Sequence, residues 1–334
     1  MSCKLVSIIL LTWNAKPFLS DCFDSISSQD YPNLELIVVD NGSEDGTADN
    51  LRSSLEHKIK IDWKLELLPE NTGFACGMNH GIALSSGDYI FTLNQDLVMN
   101  PDFISKLVSE IESKRDRPVA SVTGKILKWN IDTINGNSII DSTGHVIFDD
   151  RIVEGRGKNE PADRYNEPSE VFGVSAAASL YSKKALETVS VGNEFFDNDF
   201  FSYLEDIDLD YRLLFRGFES RYVPDAVAKH AGGGSGGRKS FLIRFKAHTN
   251  RYLVWIKNEE RSGLMKDFFP IALQECLQLV RTLFTSPLLL LSWFYFPTKA
   301  IRVAKKGRSV YADGKEYGRL DDFKLKGRLF RKIA

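Results

Sequence analysis

Short apolar runs alternate with amphipathic segments through the first 130 residues of the chain. Residues 6–12 and 35–40 are rich in aliphatic and β-branched side chains, a pattern typical of strands buried on both faces. Between them, the apolar residues after Pro17 recur on one helical face. The same alternation predicts strands at 63–68, 88–94 and 119–127 and helices at 75–84 and after Pro101. This order predicts an α/β fold, a doubly wound and mostly parallel sheet with helices on both faces.

The residue composition of the chain changes after Trp129. A stretch rich in Gly, Asn and Asp continues to Pro168, which predicts long loops or small antiparallel strands. Further elements are predicted in this order: an apolar run at 172–181, an acidic helix at 205–216, a strand at 221–229, a Gly-rich loop at 232–237 and an amphipathic helix at 241–258. We therefore divide the chain into residues 1–128, residues 129–260 as the second half of the same domain, and a helical C-terminal region, 261–334.

The C-terminal region contains the most apolar segment of the chain, at 268–297, and residues 282–298 carry no charge. This charge-free segment is shorter than the roughly 20 residues of a simple spanning helix and is broken by Pro287. The aromatic cluster 293–296 and a basic tail follow, a pattern typical of a segment that lies on an anionic membrane surface. A pair of core helices that caps the domain is the alternative interpretation.

Composition and charge exclude several classes of protein. The formal net charge of −2 argues against a nucleic-acid partner for the protein as a whole. The four cysteines contain no CxxC pair, which argues against a zinc knuckle or a disulfide framework and favours a reducing cytosol. The first residues do not resemble a signal peptide. We therefore expect a cytoplasmic protein that is peripheral on the inner face of the cell membrane.

Polar residues follow the predicted strands, at the sheet edge where α/β proteins bind ligands. Asp40 could accept hydrogen bonds from a base or a ribose, although turn chemistry and helix capping also explain the sequence Asp-Asn-Gly-Ser. Asp96, at the end of Asn94-Gln95-Asp96, could hold a divalent cation through oxygen. Capping of the helix after Pro101 is the alternative for this residue.

The acidic helix places four carboxylates within six residues. One of them could be a general base for an acceptor hydroxyl. The helix dipole alone would also explain Glu205 and Asp206, and the spacing of Asp208 and Arg212 suits a structural ion pair. His230 could complete a metal or diphosphate site or be structural, and the Gly-rich loop after it is interpreted as a mobile lid.

Taken together and in order, several pieces of the sequence resemble glycosyltransferase family 2: VSIILLTWN, LELIVVDNGSEDGT, NTGFACGMNHGI, LNQD, EDIDLDYRLLFRGF and YVPDAVAKH. The resemblance covers residues 6–258. Within the family, STGHVIFDDRIVEGRG and the stretch around the acidic helix are most similar to the rhamnosyltransferase-like branch of bacterial polysaccharide assembly. The resemblance implies a GT-A fold, a nucleotide-sugar donor, inversion at the anomeric carbon and Mg²⁺ or Mn²⁺ as cofactor.

The resemblance also assigns roles to residues by motif, with the donor bound in residues 1–128 and the acceptor and catalytic residues in 129–260. The implied donor-binding residues are Thr12 and Asn14 beside the base, Asp40 at the base or ribose, and Asn71, Gly73, Asn79 and Asn94 along the donor. The implied metal and catalytic residues are Asp96 on the metal, His230 near the metal and diphosphate, Asp206 as base and Glu205 beside it.

Two departures from the family pattern affect these expectations. The metal-binding DXD element reads Asn94-Gln95-Asp96, so one carboxylate is missing. Processive synthases of the family carry QxxRW, whereas Gln278 and Arg281 are followed here by Thr282, which favours addition of a single sugar.

We expect transfer of rhamnose from dTDP-rhamnose to a saccharide on a polyprenyl diphosphate, in O-antigen or capsule assembly. A UDP-hexose or UDP-galactofuranose transferase of the same family is one alternative, and a non-catalytic module that binds nucleotide sugars or carbohydrate is another. A nicotinamide dehydrogenase is disfavoured, because Thr12-Trp13-Asn14 stands where a glycine turn is required.

Overall fold

The computed structural model describes residues 3–129, 138–232, 241–311 and 318–326. Its strands in chain order are β1 (Val6–Thr12), β2 (Leu34–Asn41), β3 (Asp62–Leu68), β4 (Tyr89–Asn94), β5 (Leu97–Met99), β6 (Val119–Lys128), β7 (Ile140–Ser142), β8 (His145–Phe148), β9 (Val153–Gly155), β10 (Ser169–Val171), β11 (Ala178–Ser182), β12 (Glu219–His230) and β13 (Lys324–Leu325).

The helices surround these strands and fill the C-terminal region. In chain order they are α1 (Leu19–Ser27), α2 (Thr47–Lys58), α3 (Phe74–Ala83), α4 (Phe103–Ile111), α5 (Lys183–Val189), α6 (Glu205–Phe215), α7 (Phe241–Asn258), α8 (Arg261–Lys266), α9 (Phe268–Thr285), α10 (Ser292–Tyr295), α11 (Pro297–Val310) and α12 (Gly318–Phe323). Short 3₁₀ helices lie at Ala162–Arg164, Asn198–Phe200 and Pro287–Leu291.

A ten-stranded sheet organises the fold, in the order β10-β12-β6-β11-β4-β1-β2-β3, with β5 paired to β12 and β7 paired to β6. Strands β1 to β4, β6 and β12 run in one direction, and β11 runs antiparallel between β4 and β6. The doubly wound, mostly parallel sheet predicted from the sequence is therefore confirmed.

Alternate residues of β1 face opposite layers of helices, as the two-residue period of a strand requires. Ile8 and Leu10 pack in a core with apolar residues of α1, α2 and α4. Ile9 packs on the other side, with residues of α3, α5 and α6. Because both faces are covered, the polar groups that the strands present for chemistry are concentrated at the ends of the strands.

The stretch between β6 and β11 contains short strands, as its composition predicts. Strand β7 adds to the large sheet, while β8, β9 and β13 form a separate three-stranded sheet. The Gly-rich loop interpreted as a lid falls almost entirely at 233–237, outside the described residues.

Helix α11 joins the C-terminal region to the rest of the protein by packing along α7. Gly307 makes this close contact possible, because a Cβ there would lie 2.3 Å from the backbone oxygen of Lys257. Lys257 is itself buried between two carboxylates, with its Nζ 2.7 Å from Asp197 Oδ2 and 2.8 Å from Asp208 Oδ2. The predicted ion pair of Asp208 with Arg212 is also present, at 2.9 Å, and completes this buried cluster.

Helix α9 and the turns after it differ from α11, because most of their apolar side chains face outwards. Thr282 is the one buried residue of α9. Phe269, Phe284 and Phe294 are 84%, 86% and 79% exposed. Among the residues that the structure describes, no helix has the length and apolar character needed to cross a membrane.

Candidate active site

The ends of β1 and β2 form one side of the site, and Asp40 organises it. Thr12 Oγ1 donates a hydrogen bond to Asp40 Oδ1 at 2.9 Å, and the backbone N–H of Ser43 donates to Asp40 Oδ2 at 2.9 Å. The Ser43 hydroxyl adds a second donor to Oδ1 at 2.6 Å. The Asp40 side chain is buried and accepts hydrogen bonds through both oxygens. Its bonds to Ser43 are those of the turn that the sequence Asp-Asn-Gly-Ser predicts. Contact of Asp40 with a base or ribose stays a prediction.

Asn14 is held in the same loop. Its backbone lies in the left-handed region, at φ 51°, a conformation that Asn tolerates better than most residues. The Asn14 N–H donates to Ser43 Oγ, and its side-chain oxygen accepts from the Glu44 N–H, each at 2.9 Å. Thr12, Asn14 and Asp40 are therefore brought together as one hydrogen-bonded unit at the sheet edge.

Asn71 and Gly73 shape the turn into α3. Asn71 Oδ1 accepts from the Gly73 N–H at 2.9 Å, and Gly73 has φ 87°. A Cβ at Gly73 would lie 2.5 Å from the backbone oxygen of Phe201. Glycine is thus required here by both its conformation and the close approach of the segment that precedes α6.

Asn79 has a structural role that the motif did not predict. Its side-chain oxygen accepts the N–H groups of Phe195 and Phe196, and its amide nitrogen donates to the Phe196 carbonyl and to Asn198 Oδ1. Both donor positions of the amide nitrogen are used and its oxygen accepts two bonds, while a place along the donor stays a prediction. Asn79 fixes the 195–198 segment on α3.

The end of β4 lies next to the end of β1. Gln95 clamps the backbone of Trp13, with Oε1 accepting from the Trp13 N–H at 2.6 Å and Nε2 donating to the Trp13 carbonyl at 3.0 Å. The residue before Gln95, Asn94, bonds through its N–H to the Ala177 carbonyl at 2.8 Å. The backbone at the predicted DXD position is therefore held by hydrogen bonds, and the Gln95 side chain joins the ends of β1 and β4.

Asp96 and His230 face each other, with His230 Nε2 3.2 Å from Asp96 Oδ1. The other ring nitrogen, Nδ1, lies 2.8 Å from Asp141 Oδ2. Burial alone would lower the pKa of His230, but the two carboxylates more than offset it and raise that pKa to about 9. Burial and His230 act in opposite directions on Asp141, and the net effect is a pKa below its usual value. Asp141 belongs to none of the sequence motifs that point to the site.

This pair fits a divalent cation. The two ligands of a cation held at about 2.1 Å and at right angles are separated by about 3 Å, close to the observed spacing of Asp96 and His230. A ligating histidine also commonly has its second nitrogen held by a carboxylate, which is the position of Asp141. Among the described residues, no group of three His, Cys, Asp or Glu side chains could hold a metal.

Helix α6 presents Asp206 at its first turn. Asp206 Oδ1 accepts from the Ile207 N–H at 2.9 Å, and Oδ2 lies 3.4 Å from the Ala176 N–H. The backbone that leads into the helix is held at φ 72° for Tyr203 and 69° for Leu204. These are strained conformations for residues with large side chains, and such strain is concentrated at functional sites.

Glu205 differs from its neighbour. It is buried, and its Oε2 has no hydrogen-bond partner. Burial, followed by the charge of Asp206, raises the pKa of Glu205 well above its ordinary value. Asp206, by contrast, is partly exposed.

Contacts between neighbouring strands place Asp40, Asp96 and Asp206 at one edge of the sheet. Thr12 joins the ends of β1 and β2, and Gln95 joins the end of β1 to Asp96. The Ala177 carbonyl bonds to the end of β4, and the preceding residue contacts Asp206. The strand ends therefore gather residues remote in sequence, which is the arrangement expected of a ligand site in an α/β sheet.

Two further polar residues lie behind Asp206 and were not assigned a role from the sequence. His145 Nε2 lies 3.9 Å from Asp206 Oδ2, and His145 Nδ1 lies 2.7 Å from Asp210 Oδ2. The STGH sequence that contains His145 was recognised only as a family resemblance. The contact of His145 with a buried acid of α6 joins segments remote in sequence, so only the structure reveals it.

Comparison with known proteins decides the family. The model of the family described as "Glycosyl transferase family 2" matches residues 7–190, more than half of the chain. The chain belongs to glycosyl transferase family 2. This match includes the ends of β1 and β2 and the Asn94-Gln95-Asp96 element, whereas α6 and His230 lie beyond it.

Curated relatives of this family 2 chain include an uncharacterized glycosyltransferase from Haemophilus influenzae, 34% identical over 113 residues, which are 33% of this chain and 34% of that protein. The poly-beta-1,6-N-acetyl-D-glucosamine synthase of Staphylococcus epidermidis is 28% identical over 66% of this chain and 48% of its own length. An N-acetylglucosaminyltransferase from Rhizobium meliloti is 28% identical over 66% of this chain and 50% of its own length. The chain thus spans about a third to a half of these relatives.

Solved structures of low sequence identity share the fold. A mannosyltransferase from Pyrobaculum calidifontis, in complex with GDP-Man and Mn²⁺, has a TM-score of 0.54 at 17% identity and covers 94% of this chain and 75% of its own. GalNAc-T7, with UDP, GalNAc and Mn²⁺, has a TM-score of 0.58 at 14% identity. The match covers 77% of this chain and 48% of the GalNAc-T7 chain. The predicted GT-A fold is confirmed. None of the relatives named here is a rhamnosyltransferase, so that branch stays a prediction.

Proposed function

We propose that this family 2 glycosyltransferase transfers a single sugar, with inversion, from a nucleotide-sugar donor to a saccharide acceptor. The observation that carries the proposal is the position of Asp206, a partly exposed carboxylate at the sheet edge where Asp96 and His230 also lie. A non-catalytic binding module does not require this combination of an accessible base and a pair of cation ligands.

The proposed reaction is a single displacement. Asp206 accepts the proton of the acceptor hydroxyl, and that oxygen attacks the anomeric carbon of the donor sugar. The bond between the anomeric carbon and the diphosphate oxygen breaks, and the nucleoside diphosphate leaves with the electron pair. Inversion follows because attack and departure occur on opposite faces of the sugar.

Asp96 and His230 are the residues that would hold the divalent cation. The cation would supply positive charge that stabilises the leaving diphosphate. The imidazole nitrogen of His230 favours Mn²⁺ over Mg²⁺, since the harder Mg²⁺ prefers oxygen ligands. The Mn²⁺ in the two similar solved structures supports this proposal without deciding it.

Asp141 orients His230, so we expect Asp141→Asn to weaken Mn²⁺ binding by about 10- to 100-fold. The substitution removes the carboxylate that faces His230 Nδ1 but leaves both proposed ligands in place. Calorimetric titration with Mn²⁺ in the presence of UDP measures the change. Asp49→Asn, an exposed change on α2, is the control and should bind as the unaltered protein does. Equal affinity in the Asp141 variant would count against His230 as a ligand.

The donor sugar is the first property to test. We infer dTDP-rhamnose from the similarity of residues 142–157 to the rhamnosyltransferase-like branch, and UDP-N-acetylglucosamine is a second candidate because curated relatives carry that specificity in their names. The test measures thermal unfolding and nucleoside diphosphate release with dTDP-rhamnose, UDP-N-acetylglucosamine and UDP-galactofuranose. The true donor should stabilise the protein by about 2.7 kcal/mol at a hundredfold excess over its Kd. Failure of every nucleotide sugar to stabilise the protein or be turned over would refute the proposal.

The acceptor is proposed to be a saccharide on a polyprenyl diphosphate at an anionic membrane surface. A cavity of about 310 Å³, lined by residues that include Phe148, Lys158 and Tyr165, adjoins His145 and offers aromatic and charged groups to a saccharide. The outward-facing apolar side chains of α9 and α10 provide a surface for lipid. Helix α11, next to them, carries the exposed basic residues Lys305 and Arg308.

Replacing Phe269, Phe284 and Phe294 together with serine should weaken binding to anionic vesicles by about tenfold or more, because each ring is an exposed apolar group available to the interface. Co-sedimentation with vesicles of phosphatidylglycerol and phosphatidylcholine measures this. Leu67→Ser is the control, since Leu67 is 53% exposed but lies on β3. Identical sedimentation of the triple variant and the unaltered protein would contradict the membrane proposal.

A further inference from the structure

His145 lies between two carboxylates of α6. Its Nδ1 is 2.7 Å from Asp210 Oδ2 and its Nε2 is 3.9 Å from Asp206 Oδ2. The first distance is a short hydrogen bond, and the second is within the range of an ion pair. Both ring nitrogens are therefore directed at acids one turn apart on the helix that bears the proposed base.

The surrounding backbone is built to hold Asp210 in this place. Asp210 is fully buried, and its Oδ1 accepts the N–H of Val174 at 3.0 Å. A Cβ at Gly173 would lie 1.9 Å from Asp210 Cγ, so only glycine leaves room for the carboxylate. The Gly173 carbonyl in turn accepts the His145 N–H at 2.7 Å. These contacts fix the imidazole from its backbone and from Nδ1.

The charge of this group follows from its neighbours. Burial lowers the pKa of His145, but the charges of Asp210 and Asp206 and the hydrogen bond to Asp210 more than offset burial, so the net change is upward. Burial outweighs the charge and the hydrogen bond of His145 and raises the pKa of Asp210 to about 7. The two side chains form one buried hydrogen-bonded pair, with His145 Nδ1 2.7 Å from Asp210 Oδ2.

Other ionisable groups lie close to this pair. Glu205 is buried, and burial with the charge of Asp206 raises its pKa. The Tyr181 hydroxyl is buried without a hydrogen-bond partner among the described residues. Arg156, on the chain that follows β9, has its guanidinium carbon over the rings of Tyr165 and Tyr222, at 4.7 and 5.2 Å from their centroids. His145 lies within ion-pair distance of Asp206.

We propose that His145, anchored by Asp210, is the positioning residue of the base: its imidazole holds the Asp206 carboxylate in the orientation that accepts the proton of the acceptor hydroxyl. This inference rests on the proposed function of Asp206. The acceptor proton passes to Asp206, and His145 exchanges no proton in this step. After the nucleoside diphosphate leaves, the proton on Asp206 is released to water, and the unit returns to its initial charge.

The kinetic test compares His145→Gln with the unaltered protein, because glutamine retains a hydrogen-bonding amide but no charge. Nucleoside diphosphate release is measured from dTDP-rhamnose and from UDP-N-acetylglucosamine across pH 5 to 9. We expect kcat to fall by about 10- to 100-fold with donor Kd unchanged, and the acid limb of the kcat/KM profile to move upward by about one pH unit. A merely structural histidine would lower activity without moving that limb, and this result would overturn the proposal.

A second measurement does not depend on turnover. The imidazole of His145 is titrated by NMR in the unaltered protein and in Asp206→Asn, Asp210→Asn and the control Asp49→Asn, with His145→Gln used to assign its signal among the five histidines. We expect the titration midpoint to fall by about one pH unit in each of the first two variants and to stay unchanged in the control.

The two measurements distinguish a wrong role for His145 from a wrong proposed function. If a nucleotide sugar is turned over but Asp206→Asn leaves the titration midpoint of His145 unchanged, the role of His145 alone is overturned. Coupling without turnover of either nucleotide sugar would overturn the proposed function, and with it the catalytic role assigned to the unit.

Discussion

Asp206→Asn is expected to reduce turnover by about 10²- to 10⁴-fold, the range lost when one positioned general base is removed. The amide keeps the size of the carboxylate, and its oxygen can still accept from the Ile207 N–H, but its nitrogen cannot accept the weaker, 3.4 Å bond from the Ala176 N–H. Donor binding should be retained, because Asp206 faces the acceptor hydroxyl in the proposed mechanism. Release of nucleoside diphosphate and the donor Kd are the two quantities to measure.

Asp49→Asn is the matched control for this experiment, since it makes the same chemical change at an exposed position of α2. Its turnover should equal that of the unaltered protein. Full activity in the Asp206 variant would remove Asp206 as the base. Loss of donor binding together with activity would show that the carboxylate acts on the donor instead.

Lys257→Met is expected to lower the free energy of unfolding by about 3–5 kcal/mol, the usual result when one partner of a buried ion pair is removed. Lys257 has a fully buried side chain that bonds to both Asp197 and Asp208. Methionine preserves much of the packing of the lysine stem but leaves the two carboxylates short of one cation. Urea unfolding at neutral pH measures the difference.

Lys58→Met makes the same change on the surface and serves as the control. Lys58 pairs with Asp24, and their side chains are 31% and 61% exposed, so the loss should stay below about 1 kcal/mol. If Lys257→Met lowers the free energy of unfolding no more than Lys58→Met does, the buried cluster does not stabilise the packing of α7 against residues 195–210. The comparison separates the burial of the pair from the mere loss of a lysine.

The same cluster determines part of the response to acid. Burial tends to raise the pKa of Asp197, but Lys257 and Lys306 outweigh burial and hold that pKa well below its ordinary value. A carboxylate of this kind contributes stability at pH values above about 3.9, its unfolded value. That contribution is lost as the pH falls further, because the protonated side chain no longer pairs with the lysines.

The strands and most helices of this fold were predictable from sequence because they depend on local pattern. Residues 6–12 are rich in aliphatic and β-branched side chains, and β1 has those bounds. The four-residue spacing of Asp208 and Arg212 predicted an ion pair on one helix, and the pair is present. Motif order was enough to bring Thr12, Asp40 and Asp96 to the same sheet edge.

What the sequence did not reveal depends on contacts between distant segments. Asn79 bonds to residues more than a hundred positions away, so its structural role has no local signal. The pairing of His145 with Asp210 spans 65 positions and requires a glycine at 173 on a third segment. The motif therefore singled out Asp206 but not the histidine beside it or the buried acid that holds this histidine.

The C-terminal region shows the same limit. Its apolar composition is compatible with a segment that lies on a membrane and with a pair of core helices. In the structure, one helix of this region packs on the rest of the protein and another has exposed apolar side chains. Helix α11 packs on α7 through Gly307, while α9 keeps its apolar side chains exposed. The composition of the whole region does not show which helix packs on the protein. That depends on the position of single small residues such as Gly307.

The most direct test of the central claim is a crystal structure of the unaltered protein with Mn²⁺ and the donor that stabilises it. The account predicts Mn²⁺ at about 2.0–2.2 Å from the Asp96 carboxylate and His230 Nε2, with the anomeric carbon of the sugar open to attack from the side of Asp206. A donor or metal bound away from these three residues would contradict it.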